Sequence, residues 1–256
     1  MLSFSSGTGE TERNGATTVP ANRVIQGLWI GPELSAMEQL SIVSFLRCGH
    51  EYHLYVYEDV KGIPAGTVIK DGAEILPASL IFRYNDFASY AGFANFFRYK
   101  LLLERGGWWA DTDVICLRPF DFPEQYVLSS ELQSGAEVVN AGVMKVPIGS
   151  AVMGYAWEIC QAKDPARLRW GETGPRLMAE AVRRFALETY VRSYRVFCPL
   201  RLPEWQRVLE PNAVWECEQT AHAIHLWNEA WRRTGWDKNG SYHPDCLYDR
   251  LRRKYL

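Results

Sequence analysis

The sequence contains no Cys-x-x-Cys pair, although it has six cysteines, at positions 48, 116, 160, 198, 217 and 246. A thiol-rich zinc site is therefore excluded. Most of these cysteines stand in apolar surroundings and read as small buried hydrophobes. There is no apolar run of the roughly 18 residues that a membrane-spanning helix requires, and no signal-peptide pattern. With this thiol usage, the expected location is a reducing cytoplasm. Neither sign of charge is in excess: the net charge is -2. The basic stripe of a nucleic-acid binder is missing, so nucleic acid is not an expected partner. No internal repeat is visible.

Length and aromatic content are what the chain does have. Its 256 residues, 47% of them hydrophobic, can build one substantial core. Ten tryptophans and 13 tyrosines supply flat faces that suit sugar rings and nucleobases as well as a core. Residues 1–21 are rich in Ser, Thr and Gly without periodicity and read as a disordered leader. Residues 22–256 are expected to form a single domain.

The first ordered stretch predicts β-α-β. "RVIQGLWIG" (23–31) and "EYHLYVYE" (51–58) have strand character. Between them lies a helix with Ser35 as N-cap and Glu38 three residues on, stopped by Gly49. A helix is expected over 89–105, ended by Gly106-Gly107, and "WWADTDVICL" then reads as a strand with an irregular continuation. Strands are expected at "YVLSSEL" and "VVNAGVMKV", and helices near 150–163 and 174–189. "YRVFCP" and "HAIHLW" read as late short strands. The tail "YDRLRRKYL" reads as a solvated basic helix end, with peripheral membrane contact as the sharper alternative.

The chemistry concentrates around Asp111 and Asp113. If the strand continues through them, Trp109, Asp111 and Asp113 share one face. Two carboxylates on one side repel unless a cation joins them, and hard cations such as Mg²⁺ or Mn²⁺ take oxygen ligands while keeping positions for water and phosphates. By itself D-x-D also marks ordinary turns. The preceding helix adds Asn95 and Arg98, which lie on one helical face. A guanidinium in so apolar a helix needs an anion or carbonyls, and arginine matches phosphate or carboxylate with two hydrogen bonds. In "HAIHLWNEAW", His222 and His225 face opposite sides if the segment is a strand; His225 or Asn228 could complete a metal shell begun elsewhere.

The block "NFFRYKLLLERGGWWADTDV" (95–114) resembles the signature of glycosyltransferases with the DXD sugar-binding region, the family 32 enzymes, which are distantly similar to the glucosylating clostridial toxins. "VIQGLWIG", "ETGP" (172–175) and "AIHLWNEAW" resemble further family segments in the expected order, with Gln26 where His is common and Ala230 where Ser is common. The resemblance implies a GT-A fold, a Rossmann-like α/β sheet. It implies a nucleotide-diphosphate sugar donor, a UDP-sugar foremost and GDP-mannose next, with Mn²⁺ or Mg²⁺ as cofactor. Transfer would go to a glycan, lipid or protein acceptor with retention of configuration.

By the same resemblance, Trp29 would stack on the nucleobase. Asn95, Arg98, Gly107, Trp109, Asp111, Asn140 and Trp231 would line the donor site. Asp113, with Asp111 and His225, would hold the metal. Glu131 and Glu172 are the candidate carboxylates for a double displacement. Two other readings compete. A haloacid-dehalogenase-type phosphatase would use Asp111 as nucleophile, but its motif follows an N-terminal apolar strand. A non-enzymatic carbohydrate-binding protein would use the aromatics yet leaves Arg98 and the paired aspartates unexplained.

Overall fold

The alternating stretches at the start of the chain pair as parallel strands in the computed structural model, which describes residues 23–213 and 220–256. The leader expected over 1–21 and the cysteine at 217 lie outside the described residues. β1 (Val24–Leu28) leads into α1 (Ala36–Arg47), and β2 (Glu51–Val56) returns beside β1. Ser35 and Glu38 form the expected capping box. β3 (Val68–Asp71) adds a parallel edge strand to β2. Then come α2 (Ala91–Arg105) and β4 (Gly107–Ala110), which lies parallel to β1. β6 (Val127–Gln133) and β7 (Ala136–Val146) form an antiparallel hairpin, with β7 also antiparallel to β4.

The result is a mixed six-stranded sheet in the order β3-β2-β1-β4-β7-β6, flanked by helices. The two-residue period of the strands divides the core. Ile25, Trp108 and Val143 pack with Ile42 and Phe45 of α1 on one face. Leu28, Trp109 and Met144 pack with Phe93 and Phe97 of α2 on the other, together with α3 (Ala151–Gln161) and α4 (Leu177–Arg184). Beyond α1, a small antiparallel sheet pairs β5 (Val114–Cys116) with β8 (Ala223–His225). Its Ile115 and Ile224 join a third cluster with Met37, Leu40 and Trp231.

Two expectations are corrected. "YRVFCP" is not a strand: Tyr194–Phe197 is one helical turn, α5, which places Phe197 against Trp108 and Phe120. A short apolar run carries no period that distinguishes the two. The tail is not simply solvated either. α7 (Leu247–Tyr255), which follows α6 (Asn228–Thr234), buries Leu247, Tyr248, Leu251 and Tyr255 in the third cluster. Among the described residues no helix is long and apolar enough to cross a membrane.

Candidate active site

The helix-to-strand junction before the aspartates depends on two glycines. Gly106 and Gly107 both have positive φ, at 60° and 85°. A Cβ on Gly106 would come within 2.5 Å of the Ile148 nitrogen, so this turn accepts no side chain. Gln26, buried on the neighbouring strand, donates from Nε2 to the carbonyls of Gly106 (2.8 Å) and Trp108 (3.1 Å). That pair of bonds fixes the junction and satisfies a polar group that would be costly if buried alone.

The strand ends at Ala110, one residue before the first aspartate. The sharing of a face through strand alternation is therefore corrected: a turn, closed by the Val114 N–H on the Asp111 carbonyl (3.0 Å), brings the carboxylates together instead. Ligand atoms of Asp111, Asp113 and His225 all lie within 4.8 Å of one another. Arg98 reaches Asp111 at 3.1 Å, lies over the Trp109 ring at 4.9 Å, and donates to the Ala141 carbonyl. Trp109 Nε1–H donates to Asp111 Oδ1 at 2.9 Å. The buried arginine thus has both the anion and the carbonyl that its apolar helix required.

Asp113 is held from the C-terminal segment. Its Oδ2 accepts from the Asn228 backbone N–H (2.7 Å) and lies 3.2 Å from His225 Nε2, and its carbonyl accepts from the Leu226 N–H (2.9 Å). Trp227 stacks on the His225 ring at 4.2 Å and 22°. Burial pushes the Asp111 carboxyl up, opposed by the charge of Arg98. Burial also pushes Asp113 upward, but the His225 charge and the hydrogen bonds from His225 and Asn228 outweigh it and hold Asp113 below the usual carboxylate range. Burial would lower His225, yet the charge and hydrogen bond of Asp113 overcome it, and the imidazole stays protonated well above its ordinary range. Two carboxylates and one imidazole are a donor set suited to Mn²⁺ or Mg²⁺. Asn228 Oδ1 is buried with no hydrogen-bond partner among the described residues.

Other expected residues divide into those that the structure brings to this cluster and those that it does not. Asn140 belongs beside it. Its Oδ1 accepts from the Gly142 N–H, and a Cβ on Gly142 would meet Asn140, Asp111 and His225 within 3.3 Å. Asn140 Nδ2 donates to Glu131 at 2.7 Å, which joins that carboxylate to the group. Trp29 follows β1 with its Nε1 buried and unpaired among the described residues, and Lys238 stands over its ring at 5.5 Å. Asn95 is buried on α2 with Nδ2 3.4 Å from Thr173 Oγ1, next to the "TGP" segment.

The Glu172 carboxylate is engaged by Lys163 (2.8 Å) and by the Arg169 N–H (3.1 Å). Trp231 is corrected to a core residue: it is fully buried against Trp205 and Tyr248, and its Nε1–H donates to the Leu226 carbonyl. His222 points the other way from His225, with Nδ1 2.9 Å from the Pro119 carbonyl, as strand alternation predicts. The sequence reading missed Tyr52, whose buried hydroxyl has no partner among the described residues, and Cys198, whose Sγ lies 4.0 Å from His225 Nδ1. Only folding brings these near the aspartates, so no local pattern could have marked them.

Residues 50–131, which span both aspartates and Arg98, match the family model described as the glycosyltransferase sugar-binding region containing the DXD motif. Over this stretch the chain is similar to that sugar-binding region. Asp111 and Asp113 are the two aspartates of the D-x-D in this region. The PaToxG glycosyltransferase is structurally similar, at 18% identity over 66% of this chain and 72% of that one, with a TM-score of 0.48. The galactosyltransferase LgtC, solved with donor and acceptor sugar analogues, gives 10% identity, 91% and 96% coverage, and 0.45. GlyE of Streptococcus pneumoniae TIGR4 gives 13%, 91% and 63%, and 0.44. No curated protein sequence matches the chain.

Proposed function

We propose that the protein is a metal-dependent glycosyltransferase of GT-A type, moving a hexose from a nucleotide-diphosphate sugar, a UDP-sugar first, to a glycan, lipid or protein acceptor with retention. The observation that carries this reading is the convergence of Asp111 and Asp113, in the stretch similar to the sugar-binding region, with His225 from β8 beside Arg98. Asp113, Asp111 and His225 would hold Mn²⁺ or Mg²⁺. When bound, such an ion acts as a Lewis acid on the departing diphosphate, an effect worth several kcal/mol.

The chain's own residues do the rest. Arg98 keeps a buried positive charge beside Asp111, where negative charge grows as the donor's anomeric bond opens. Trp29 presents an indole at the end of β1 for the base. Asn140 and Gly142 leave space next to Asp111 that a side chain at 142 would fill. For a double displacement Glu131 is the better-placed carboxylate, because Lys163 already holds Glu172.

The test is nucleotide release from a panel of nucleotide sugars with Mn²⁺, comparing the wild type with Asp113→Ala. Loss of several kcal/mol of charge stabilisation predicts a fall of at least about 100-fold in turnover. The variant should keep its circular dichroism spectrum. Undiminished turnover in Asp113→Ala would overturn the metal role. Metal-dependent donor binding without any release or transfer would identify a binding protein instead.

A further inference from the structure

We propose that Cys48 and Cys116 form an oxidisable dithiol, a modification site at which a peroxide joins the end of α1 to β5 through a disulfide. The proposal is independent of the donor and cation chemistry above.

The packing of α1 on β5 brings the two cysteines together. Ser41, Ser44 and Cys48 recur along α1 at helical spacing, and all three meet β5. Ser41 Oγ–H donates to the Val114 carbonyl (2.6 Å), and Ser44 Oγ accepts from the Cys116 N–H (2.8 Å). The Cys48 thiol donates to the Cys116 carbonyl at 3.9 Å, although the two residues are 68 positions apart. Both cysteine backbones also meet on Ser44, whose carbonyl accepts from the Cys48 N–H at 3.1 Å.

The two thiols differ in the way that a reactive pair requires. Cys116, Cys160, Cys198 and Cys246 are buried, whereas Cys48 reaches the surface between the exposed Arg47 and Gly49. Ionised Cys48 accepts a hydrogen bond from the Cys116 thiol. This bond, with the charge of Lys254 on α7, outweighs burial and brings the Cys48 thiol down to about 7. Burial pushes the Cys116 thiol up, so it keeps its proton. An accessible thiolate beside a protonated partner thiol is the arrangement of an attacking and a resolving cysteine.

The chemistry balances with a hydroperoxide as oxidant. The Cys48 thiolate attacks one peroxide oxygen, a sulfur–oxygen bond forms, the oxygen–oxygen bond breaks, and the departing hydroxide takes up a proton to become water. The Cys116 sulfur then attacks the Cys48 sulfenic acid. A sulfur–sulfur bond forms, the sulfur–oxygen bond breaks, and hydroxide leaves with the Cys116 proton as a second water. The two sulfurs together lose two electrons, and the peroxide gains them. The bond would brace β5, whose Val114 follows Asp113 and pairs with His225.

The experiment treats the reduced full-length protein with hydrogen peroxide and maps it by mass spectrometry without reductant. The Cys48 and Cys116 peptides should appear joined, two hydrogens lighter than their sum, and separate again with dithiothreitol. In Cys116→Ser, the Cys48 sulfenic acid should persist and be trapped by dimedone. In Cys48→Ser, oxidation at Cys116 should slow by at least about tenfold. The bridged wild type should melt at least about 5 °C above the reduced protein. The mapping of the wild type needs no variant to fold. Cys48 unreactive, Cys48 joined to Cys217 or another cysteine, or Cys48 driven to sulfinic acid beside a reduced Cys116 would each overturn the dithiol. An unchanged Tm in the bridged protein would overturn the bracing of β5.

Discussion

Arg98 and Asp111 show how one buried pair can serve stability and chemistry together. The guanidinium is nearly sealed, while the carboxylate is about a quarter exposed (25%). Removing the cation leaves a partly buried anion beside a second carboxylate. Breaking such a pair costs about 3–5 kcal/mol when fully buried, and the exposure of Asp111 reduces this to roughly 2–3 kcal/mol. Arg98→Ala should therefore lower unfolding free energy by that amount in urea titration, besides weakening turnover. Trp29 should behave differently. Base stacking on an aromatic is worth about 1–3 kcal/mol, so Trp29→Ala should raise the Kd for UDP in calorimetry by roughly tenfold or more, with little change in stability. An unchanged Kd would remove Trp29 from the donor site. At this scale the sequence was informative where residues are close along the chain: Arg98, Asp111 and Asp113 lie within sixteen positions and are brought together by one helix, one turn and one strand. It misled at Trp231. An indole in a family-like segment carries no mark that separates a ligand face from a core filler, and packing against Trp205 and Tyr248 decides the matter.

The junction between α2 and β4 sets where the aspartates stand. Its Gly106 combines φ 60° with ψ -162°, a region essentially closed to other residues. Gly106→Ala adds a Cβ that collides with backbone rather than with a yielding side chain. The expected cost is at least about 2 kcal/mol, read as a lower denaturant midpoint. A midpoint within error of wild type would mean that the junction adjusts freely and does not fix the site. Elements with strong local signals were legible. The capping box of α1, the Gly-Gly stop of α2 and the alternating strands β1 and β2 all formed where the residues indicated. The end of β4 and the helical turn at Tyr194–Phe197 were not legible. Both depend on partners distant in sequence: the Asp111 N–H bonds to the Gly142 carbonyl, and Phe197 fills a gap beside Trp108 and Phe120.

Across the whole molecule, the site is assembled from two ends of the chain. Arg98 and the aspartates come with the large sheet, whereas His225 and Asn228 arrive on β8 and α6. What holds that second piece in place is the third core cluster, where α7 packs Leu251 and Tyr255 with Met37 and Leu40 of α1. The basic residues of α7 make it resemble a solvated or membrane-facing tail in sequence, and its buried stripe shows that it also braces the site. Leu251→Ala should cost about 3 kcal/mol, which for a chain of this size lowers the Tm by roughly 6–12 °C. Lys254→Gln, on the exposed side of the same helix, should change stability by no more than about 0.5 kcal/mol. Because His225 rides on the same cluster, Leu251→Ala should also gain less Tm from a fixed concentration of Mn²⁺ and UDP than Lys254→Gln does, since part of the binding energy then goes into assembling the site and the stabilisation falls as the apparent Kd rises. Equal Tm values for the two metal-free variants would show that α7 contributes no packing to the C-terminal half of the site, and its role would then lie at the surface alone.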